Sequence, residues 1–155
     1  MSSNITSNKN FLSPITFKLV IDSSQFANLE YFCTVANLPG VSLPEVELPF
    51  RGYKNQIAGD RQDFPPLDVT FIVDENMTNY IEIFNWIKQN HSNDDFLKRD
   101  IVLAVGNSSN NIVKKVRFVD AFPTLLNPIQ FNAQNLDVEY LTADVSFRYT
   151  YSEFI

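Results

Sequence analysis

ADVSFRYTY, the stretch from Ala143 to Tyr151, alternates apolar and polar side chains along its whole length. Successive side chains of an extended chain point to opposite faces of a sheet, so this pattern predicts a strand with one buried face. The apolar positions, predicted to face a core together, are Val145, Phe147, Tyr149 and Tyr151. The polar positions, predicted to face the other way, are Asp144, Ser146, Arg148 and Thr150.

Other segments carry the same signal, and together they predict a mainly β protein. The chain has 14 Phe and 6 Tyr against 4 Gly and 2 Met, a composition that favours strands. A shorter alternating run, Leu136, Val138 and Tyr140, is predicted to pair with the last strand. The remaining predicted strands are 15–21, 29–36, 69–73, 101–105 and 112–119.

One helix is predicted over about residues 79–90, with Thr78 or Asn79 as its N-cap. Its predicted apolar stripe consists of Tyr80, Ile83, Phe84 and Ile87. Trp86 lies at the edge of that stripe, where we interpret it as a packing anchor, together with Phe147 and Tyr149. The predicted architecture is a two-sheet antiparallel sandwich or barrel with this helix on its flank.

Two segments do not show the pattern of a core element. Residues 41–66 contain Pro44, Pro49, Pro65 and Pro66, which cannot donate to a central ladder, so we expect a projecting hairpin used for interaction. Residues 1–13 are rich in Ser and Asn and are predicted to be a flexible arm that orders on contact with a neighbour. Residues 14–155 are predicted to form one domain.

Charge and composition limit the function classes. The formal net charge of −6 disfavours specific recognition of nucleic acid, because phosphate binding needs clustered cations. The lone Cys33 fits a reducing compartment, and no signal-like or membrane-spanning apolar stretch is present, so synthesis in the cytoplasm is expected.

No pattern typical of a catalytic, metal or cofactor site is found. His91 is the only imidazole and is expected to face solvent near the helix end. Asp94, Asp95 and Asp100 lack the spacing of a calcium loop, and the glycines at 40, 52, 59 and 106 are too scattered for a phosphate cradle. The chain is therefore not expected to be an enzyme.

Several fragments, in order and spacing, resemble the tail tube protein family of contractile-tailed bacteriophages. KNQIAGDRQDF at Lys54–Phe64 contains the Ala-Gly-Asp-Arg element of that family, and VTFIVDE at Val69–Glu75 matches the strand and acidic pair that follow it. The resemblance extends to TVANLPG at Thr34–Gly40, Trp86 in the helix and FPT at Phe122–Thr124. It covers most of residues 15–151.

The resemblance implies a virion protein of the phage tail whose hexameric rings share a continuous inner β-barrel and stack through the hairpin and the N-terminal arm. It implies a sheath protein outside, DNA and a tape measure protein transiently in the lumen, and a baseplate hub at the end. An acidic lumen that repels DNA is expected from the polar strand faces around residues 137–148. The expected inter-subunit contacts are Lys54, Ala58, Gly59, Asp60, Arg61 and Phe64.

Alternatives within and outside this class stay open. A tube initiator or terminator, a baseplate paralogue, or the tube of a contractile injection or secretion system would carry the same motifs. A monomeric carbohydrate-binding β-sandwich would instead use exposed aromatic side chains as a stacking platform. For Asp60 and Arg61, an ion pair within the chain that fixes the hairpin is the alternative to a contact between subunits.

Overall fold

The structure, a computed structural model, describes residues 11–21, 33–92, 96–134 and 140–155. These residues form nine strands and one helix, and the strand pairs are antiparallel, which confirms the predicted mainly β fold with one helix. The elements are β1 (Phe17–Val20), β2 (Cys33–Asn37), β3 (Glu45–Phe50), β4 (Tyr53–Ala58), β5 (Leu67–Ile72), α1 (Thr78–Ser92), β6 (Arg99–Gly106), β7 (Ile112–Leu126), β8 (Thr142–Arg148) and β9 (Tyr151–Phe154).

Strand β7 belongs to two sheets. Its first half pairs with β6 and β9, and its second half pairs with β8, so the strand order runs β1-β6-β7-β8-β5-β2. Between the halves Asp120 has a φ of 54°, and its N–H donates to the Asp100 carboxylate at 3.0 Å. The β6–β7 register also shifts between Arg99 and Ile101. A bulge of this kind bends a strand and increases its twist, which lets one strand pass from sheet to sheet.

The core takes alternate side chains from these strands. In β5, Leu67, Val69 and Phe71 are buried, and β8 pairs with it through Val145 and Phe147, which are also buried. Aromatic rings link the elements: Trp86 of α1 lies 5.9 Å from Phe147 between ring centroids. The remaining core residues are Leu19, Ile21, Ile83, Ile101, Leu103, Val116, Phe118, Ala121 and Ala143.

The strand predicted to continue to Tyr151 ends earlier. β8 stops at Arg148, and Tyr151 begins β9, which pairs with Val119 in the first half of β7. Tyr151 therefore does not share a strand with Phe147, and that part of the prediction is wrong. The chain changes sheets between the two strands, where the Thr150 N–H donates to Val119 O at 2.9 Å.

The buried face of α1 differs from the predicted stripe. Ile83 and Trp86 are fully buried, whereas Phe84 is 53% exposed, so the prediction was wrong for Phe84. The indole N–H of Trp86 donates to Leu97 O at 2.8 Å, and the Asn90 side-chain oxygen accepts the Leu97 N–H at 2.8 Å. Trp86 can therefore be buried at the centre of the contact between α1 and the core, because its indole N–H has a hydrogen-bond acceptor there.

The prediction of Thr78 or Asn79 as the N-cap is wrong: α1 begins at Thr78, so both residues lie inside the helix, and a side chain before them holds its start. The Asp74 carboxylate accepts the N–H of Asn79 at 3.2 Å. The buried Asn79 amide donates to Ile72 O at 2.7 Å and so joins the helix to the end of β5. The carboxylate is also well placed electrostatically, because the N-terminus of a helix is its positive end.

Some predictions meet the ends of the described ranges. Ile15 is 85% exposed and lies outside β1, so the first predicted strand begins at Phe17 and not at residue 15. Residues 29–32 of the second predicted strand, Leu136 and Val138 of the predicted closing pair, and residues 1–10 of the predicted arm lie outside the described residues. Tyr140 is described, is 81% exposed and is not in a strand.

We expect Trp86→Phe to destabilise the fold by about 1–3 kcal/mol, because it removes the hydrogen bond to Leu97 O and leaves part of a buried site unfilled. The measurement is urea unfolding followed by circular dichroism. Phe84→Leu on the exposed side of the same helix is the matched control, and its expected change is within about 0.5 kcal/mol. Equal losses for both variants would contradict the assigned helix face.

Burial raises the pKa of the Cys33 thiol to about 11. Only the thiolate is alkylated, so we expect iodoacetamide at pH 8 to label the folded protein about 100-fold more slowly than an ordinary thiol. The fold favours the neutral thiol over the thiolate, and this preference adds to the free energy of unfolding. The added stability is fully present below about pH 9 and is lost as the pH rises to about 11. Labelling in urea should be fast and should disappear in Cys33→Ser; fast labelling of the folded protein would refute the assignment.

Candidate assembly interface

Strands β3 and β4 form a two-stranded sheet of their own, and every residue of both strands is exposed. They pair antiparallel from Glu45 opposite Ala58 to Phe50 opposite Tyr53. Gly52 occupies the second turn position with a φ of 82°, which a residue with a Cβ adopts only at a cost. An isolated two-stranded hairpin is marginal in water, so this element is suited to packing against another surface.

The two faces of the hairpin differ in chemistry. Residues directly opposite each other in an antiparallel pair share a face, so the register assigns each side chain to one side. The apolar face carries Val46, Leu48, Phe50, Tyr53 and Ile57, each between 44% and 79% exposed, together with Asn55. The polar face carries Glu45, Glu47, Pro49, Lys54, Gln56 and Ala58.

Side chains on the polar face are paired within the hairpin. Lys54 Nζ lies 3.3 Å from a Glu47 carboxylate oxygen, and the Gln56 amide donates to Glu45 at 3.2 Å. Both interactions are exposed, so they contribute little to stability on their own. The apolar face has no such pairs, and its apolar side chains remain exposed among the described residues.

The base of the hairpin is fixed by backbone contacts. Ser42 and Asp63 exchange two hydrogen bonds, at 3.0 and 2.7 Å, and the Gly59 N–H donates to Pro44 O at 2.7 Å. A Cβ at Gly59 would lie 2.5 Å from the same Pro44 oxygen. Gly59 therefore permits the close approach that holds the two ends of the hairpin together.

The other predicted contact residues occupy different environments. Lys54 and Ala58 lie on the exposed polar face of β4. Asp60 and Arg61 are exposed in the connection to β5, and neither makes an ion pair with any described residue. Phe64 is half-buried and packs edge-on against Tyr149 at 6.0 Å, within the chain.

A second surface is the outward face of the sheet formed by β8, β5 and β2. The Ser146 hydroxyl donates to the Asp68 carboxylate at 2.5 Å, and the Thr70 hydroxyl donates to the Asp144 carboxylate at 2.5 Å. These are direct cross-strand pairs, Asp68 with Ser146 and Thr70 with Asp144. The result is an exposed patch that combines two carboxylates with hydroxyl groups and, at its margin, Asn37 and Asn127.

Sequence reasoning singled out polar positions in β8 but did not find this pairing. The signal was present, since β5 reads Asp68-Val69-Thr70 and β8 reads Asp144-Val145-Ser146. Two such triplets in an antiparallel pair set each carboxylate opposite a hydroxyl when the strands pair in this register. The sequence alone does not give the register between β5 and β8, so this pairing could not be predicted.

Tyr149 connects the hairpin segment to the core. Its hydroxyl donates to Pro65 O at 2.7 Å, and its ring packs edge-on against Phe118 at 4.9 Å. Burial raises the pKa of this phenol, with the Arg148 charge acting in the opposite direction. The contact holds the chain leaving the hairpin against the β-sheets.

Outside the β3–β4 hairpin, three strands present an edge without a partner in the described parts of the chain. β1 and β9 pair only with β6 and β7 respectively, and β2 pairs only with β5. Open edges present unpaired N–H and C=O groups to which another strand can add.

No described residues group three or more potential metal-ligating side chains of His, Cys, Asp or Glu. Helix α1 is too short and polar to span a bilayer, and the described residues contain no helix suited to that.

Solved structures of tube-like proteins share this fold. A chain of the anti-feeding prophage tube-terminating cap is 15% identical, with a TM-score of 0.75, covering 98% of this chain and 95% of that chain. A chain of the sheath–tube complex of the extracellular contractile injection system PVC is 16% identical, with a TM-score of 0.71 and coverages of 95% and 93%. An Hcp protein is more distant, at 12% identity and a TM-score of 0.55, with coverages of 89% and 88%.

No curated protein matches the sequence. A family model described as phage tail tube protein matches residues 4–154, nearly the full length of the chain. The matched range includes the hairpin, both sheets and α1, the elements on which the resemblance in sequence also depends. The chain therefore belongs to the phage tail tube protein family.

Proposed function

We propose that this chain is a structural subunit of the inner tube of a contractile phage tail or a related contractile injection machine. The observation that carries the proposal is the hairpin, whose apolar face is exposed and is not covered by the core of the described residues. Large exposed apolar patches mark sites of association, because burying them against a partner removes them from water. A second copy of this chain is the partner that the family membership favours.

The open edges support closure into a ring. Edges of β1, β2 and β9 that lack a partner in the described residues can add to strands of neighbouring copies, and a closed ring leaves no edge free. In the proposed assembly six copies form a ring with a continuous inner barrel, and rings stack through the hairpins. Lys54 and Ala58 of the hairpin, and Asp60 and Arg61 in the connection to β5, then lie near contacts between subunits.

The carboxylate–hydroxyl patch is the candidate lining of the channel. Asp68 and Asp144 give it negative charge, and their hydroxyl partners hold them in fixed positions. Carboxylates repel DNA phosphates, so a channel lined in this way lets DNA slide without binding it. A tape measure protein would occupy the same lumen before ejection, with a sheath protein outside the tube and a baseplate hub at its end.

A tube terminator is the second candidate. The similarity to the anti-feeding prophage cap, with a TM-score of 0.75, and to the sheath/tube terminator of the PVC injection system, with a TM-score of 0.72, favours it. A tube subunit should stack ring upon ring in solution, whereas a terminator should form single rings. Electron microscopy of the purified protein distinguishes long tubes from single rings.

The proposal predicts that the protein self-associates as its concentration rises, measured by sedimentation velocity together with negative-stain electron microscopy. Ile57→Glu places a charge on the apolar hairpin face and should weaken association at least tenfold. Its melting temperature should stay unchanged, because Ile57 is outside the core. Phe84→Glu, the same kind of change at a 53% exposed apolar position of α1, is the matched control and should assemble like the wild type.

A strict monomer at every concentration would contradict self-assembly and would favour the monomeric carbohydrate-binding module, which glycan binding would then test. If Ile57→Glu and the wild type assembled equally well, the apolar hairpin face would not be part of the interface.

The channel assignment predicts the behaviour of DNA. Assembled wild-type protein should not co-sediment with short single-stranded DNA, whereas a variant with Asp68→Lys and Asp144→Lys should bind it in a salt-dependent way. Both positions are exposed, so we expect the fold to tolerate the changes. Lys88→Glu with Lys98→Glu, which alters two exposed charges elsewhere, serves as a second variant and should leave DNA unbound. Failure of the lysine variant to bind would argue that this face is not accessible from the channel.

A further inference from the structure

A small pocket lies where three loops meet beside the start of α1. Its apolar lining includes Met77, Ile129, Phe131 and Tyr140, and the Asp74 and Glu75 carboxylates lie at the same site. Phe131 is 72% exposed and Tyr140 is 81% exposed, so two aromatic side chains stand in solvent next to two acids. Phe131 and Tyr140 belong neither to the hydrophobic core nor to the β3–β4 hairpin.

The backbone around the pocket is held in place. The Val73 N–H donates to Leu141 O at 2.9 Å, which joins the loop after β5 to the start of β8. The Met77 N–H donates to Asp74 O at 2.9 Å, and Met77 has a φ of 57°. One Asp74 carboxylate oxygen accepts the Asn79 N–H, while Glu75 is exposed. These bonds fix the backbone on two sides of the pocket and the Asp74 carboxylate within it.

The tip of the β3–β4 hairpin has the complementary chemistry. Arg51 is exposed at the turn and is flanked by Phe50, 72% exposed, and Tyr53, 79% exposed. Phe50 and Tyr53 are a directly opposed pair, so they stand side by side on the apolar face next to the cation. Arg51 makes no ion pair with a described residue.

We propose that the hairpin tip of one copy docks into this pocket of a second copy. The Arg51 guanidinium pairs with the carboxylates of Glu75 and Asp74 and stacks on the exposed aromatic rings. Phe50 and Tyr53 cover the apolar lining around Met77. The inference rests on the proposed self-assembly and identifies which surface of the neighbour receives the hairpin.

Two other cations on the hairpin segment fit less well. Lys54 is already paired with Glu47, and Arg61 follows directly after the acidic Asp60, with no aromatic side chain on either side of it in sequence. Tip and pocket are different surfaces, so the contact is heterologous. Each copy then gives a tip to one neighbour and a pocket to another, the arrangement that builds closed rings or continuing stacks.

Charge exchange tests the pairing. Arg51→Glu sets a carboxylate against Asp74 and Glu75, and Glu75→Arg sets a cation against Arg51, so each single variant should associate at least tenfold more weakly than the wild type. The double variant Arg51→Glu with Glu75→Arg recreates an opposite pair and should recover association to within about threefold of the wild type. Sedimentation velocity over a concentration series at low and high salt is the measurement, and circular dichroism checks that each variant is folded.

Lys88→Glu, a charge reversal on an exposed position of α1, is the matched control and should associate normally. If the wild type forms rings and the single variants assemble equally well, the inference is overturned, while the proposed function still stands. Weakened single variants that the double variant does not rescue would also overturn the pairing, because the two sites would then act separately. A wild-type protein that never self-associates would contradict the proposed function and this inference with it.

Discussion

The bend in β7 at Asp120 is the constraint on which the arrangement of the molecule depends. The Asp100 carboxylate accepts the Asp120 N–H, the backbone takes a positive φ, and one strand enters two sheets. Each half of β7 buries its own apolar side chains, so the two sheets share a continuous core with Trp86 and Phe147. The same bend places β9 on one sheet and β8 on the other, which leaves β1, β2 and β9 as edges with no partner in the described residues.

The hairpin has the opposite character, because β3 and β4 pair only with each other and every residue of both strands is exposed. Backbone contacts at Ser42, Pro44 and Gly59 fix its base, and an apolar face extends from there into solvent. Several large apolar side chains on one face of an otherwise exposed hairpin form a patch of the kind that marks a site of association. The proposed ring provides the missing cover for the hairpin and the missing partners for the edges.

Much of the fold could be predicted from periodicity, but side-chain partners could not. Alternation in β5 and β8 indicated strands because their faces differ sharply in polarity. Periodicity did not place Trp86 at the centre of the helix contact, since that position depends on Leu97 O, which lies in another segment. Tyr151 was assigned to the wrong strand because a change of sheet leaves the alternating pattern intact. The Asp68–Ser146 pairing needed the register, and the acidic pocket needed three loops brought together in space.

The most direct test of the central claim is hydroxyl-radical footprinting of the protein as monomer and as assembly, read by mass spectrometry. We expect Leu48, Phe50 and Tyr53 to lose most of their oxidation on assembly, because the apolar hairpin face becomes covered. Phe84, exposed on α1 and not assigned to any interface, is the internal reference within the same spectra. Assemblies in which the hairpin side chains stay as reactive as in the monomer would contradict the claim that this face drives association.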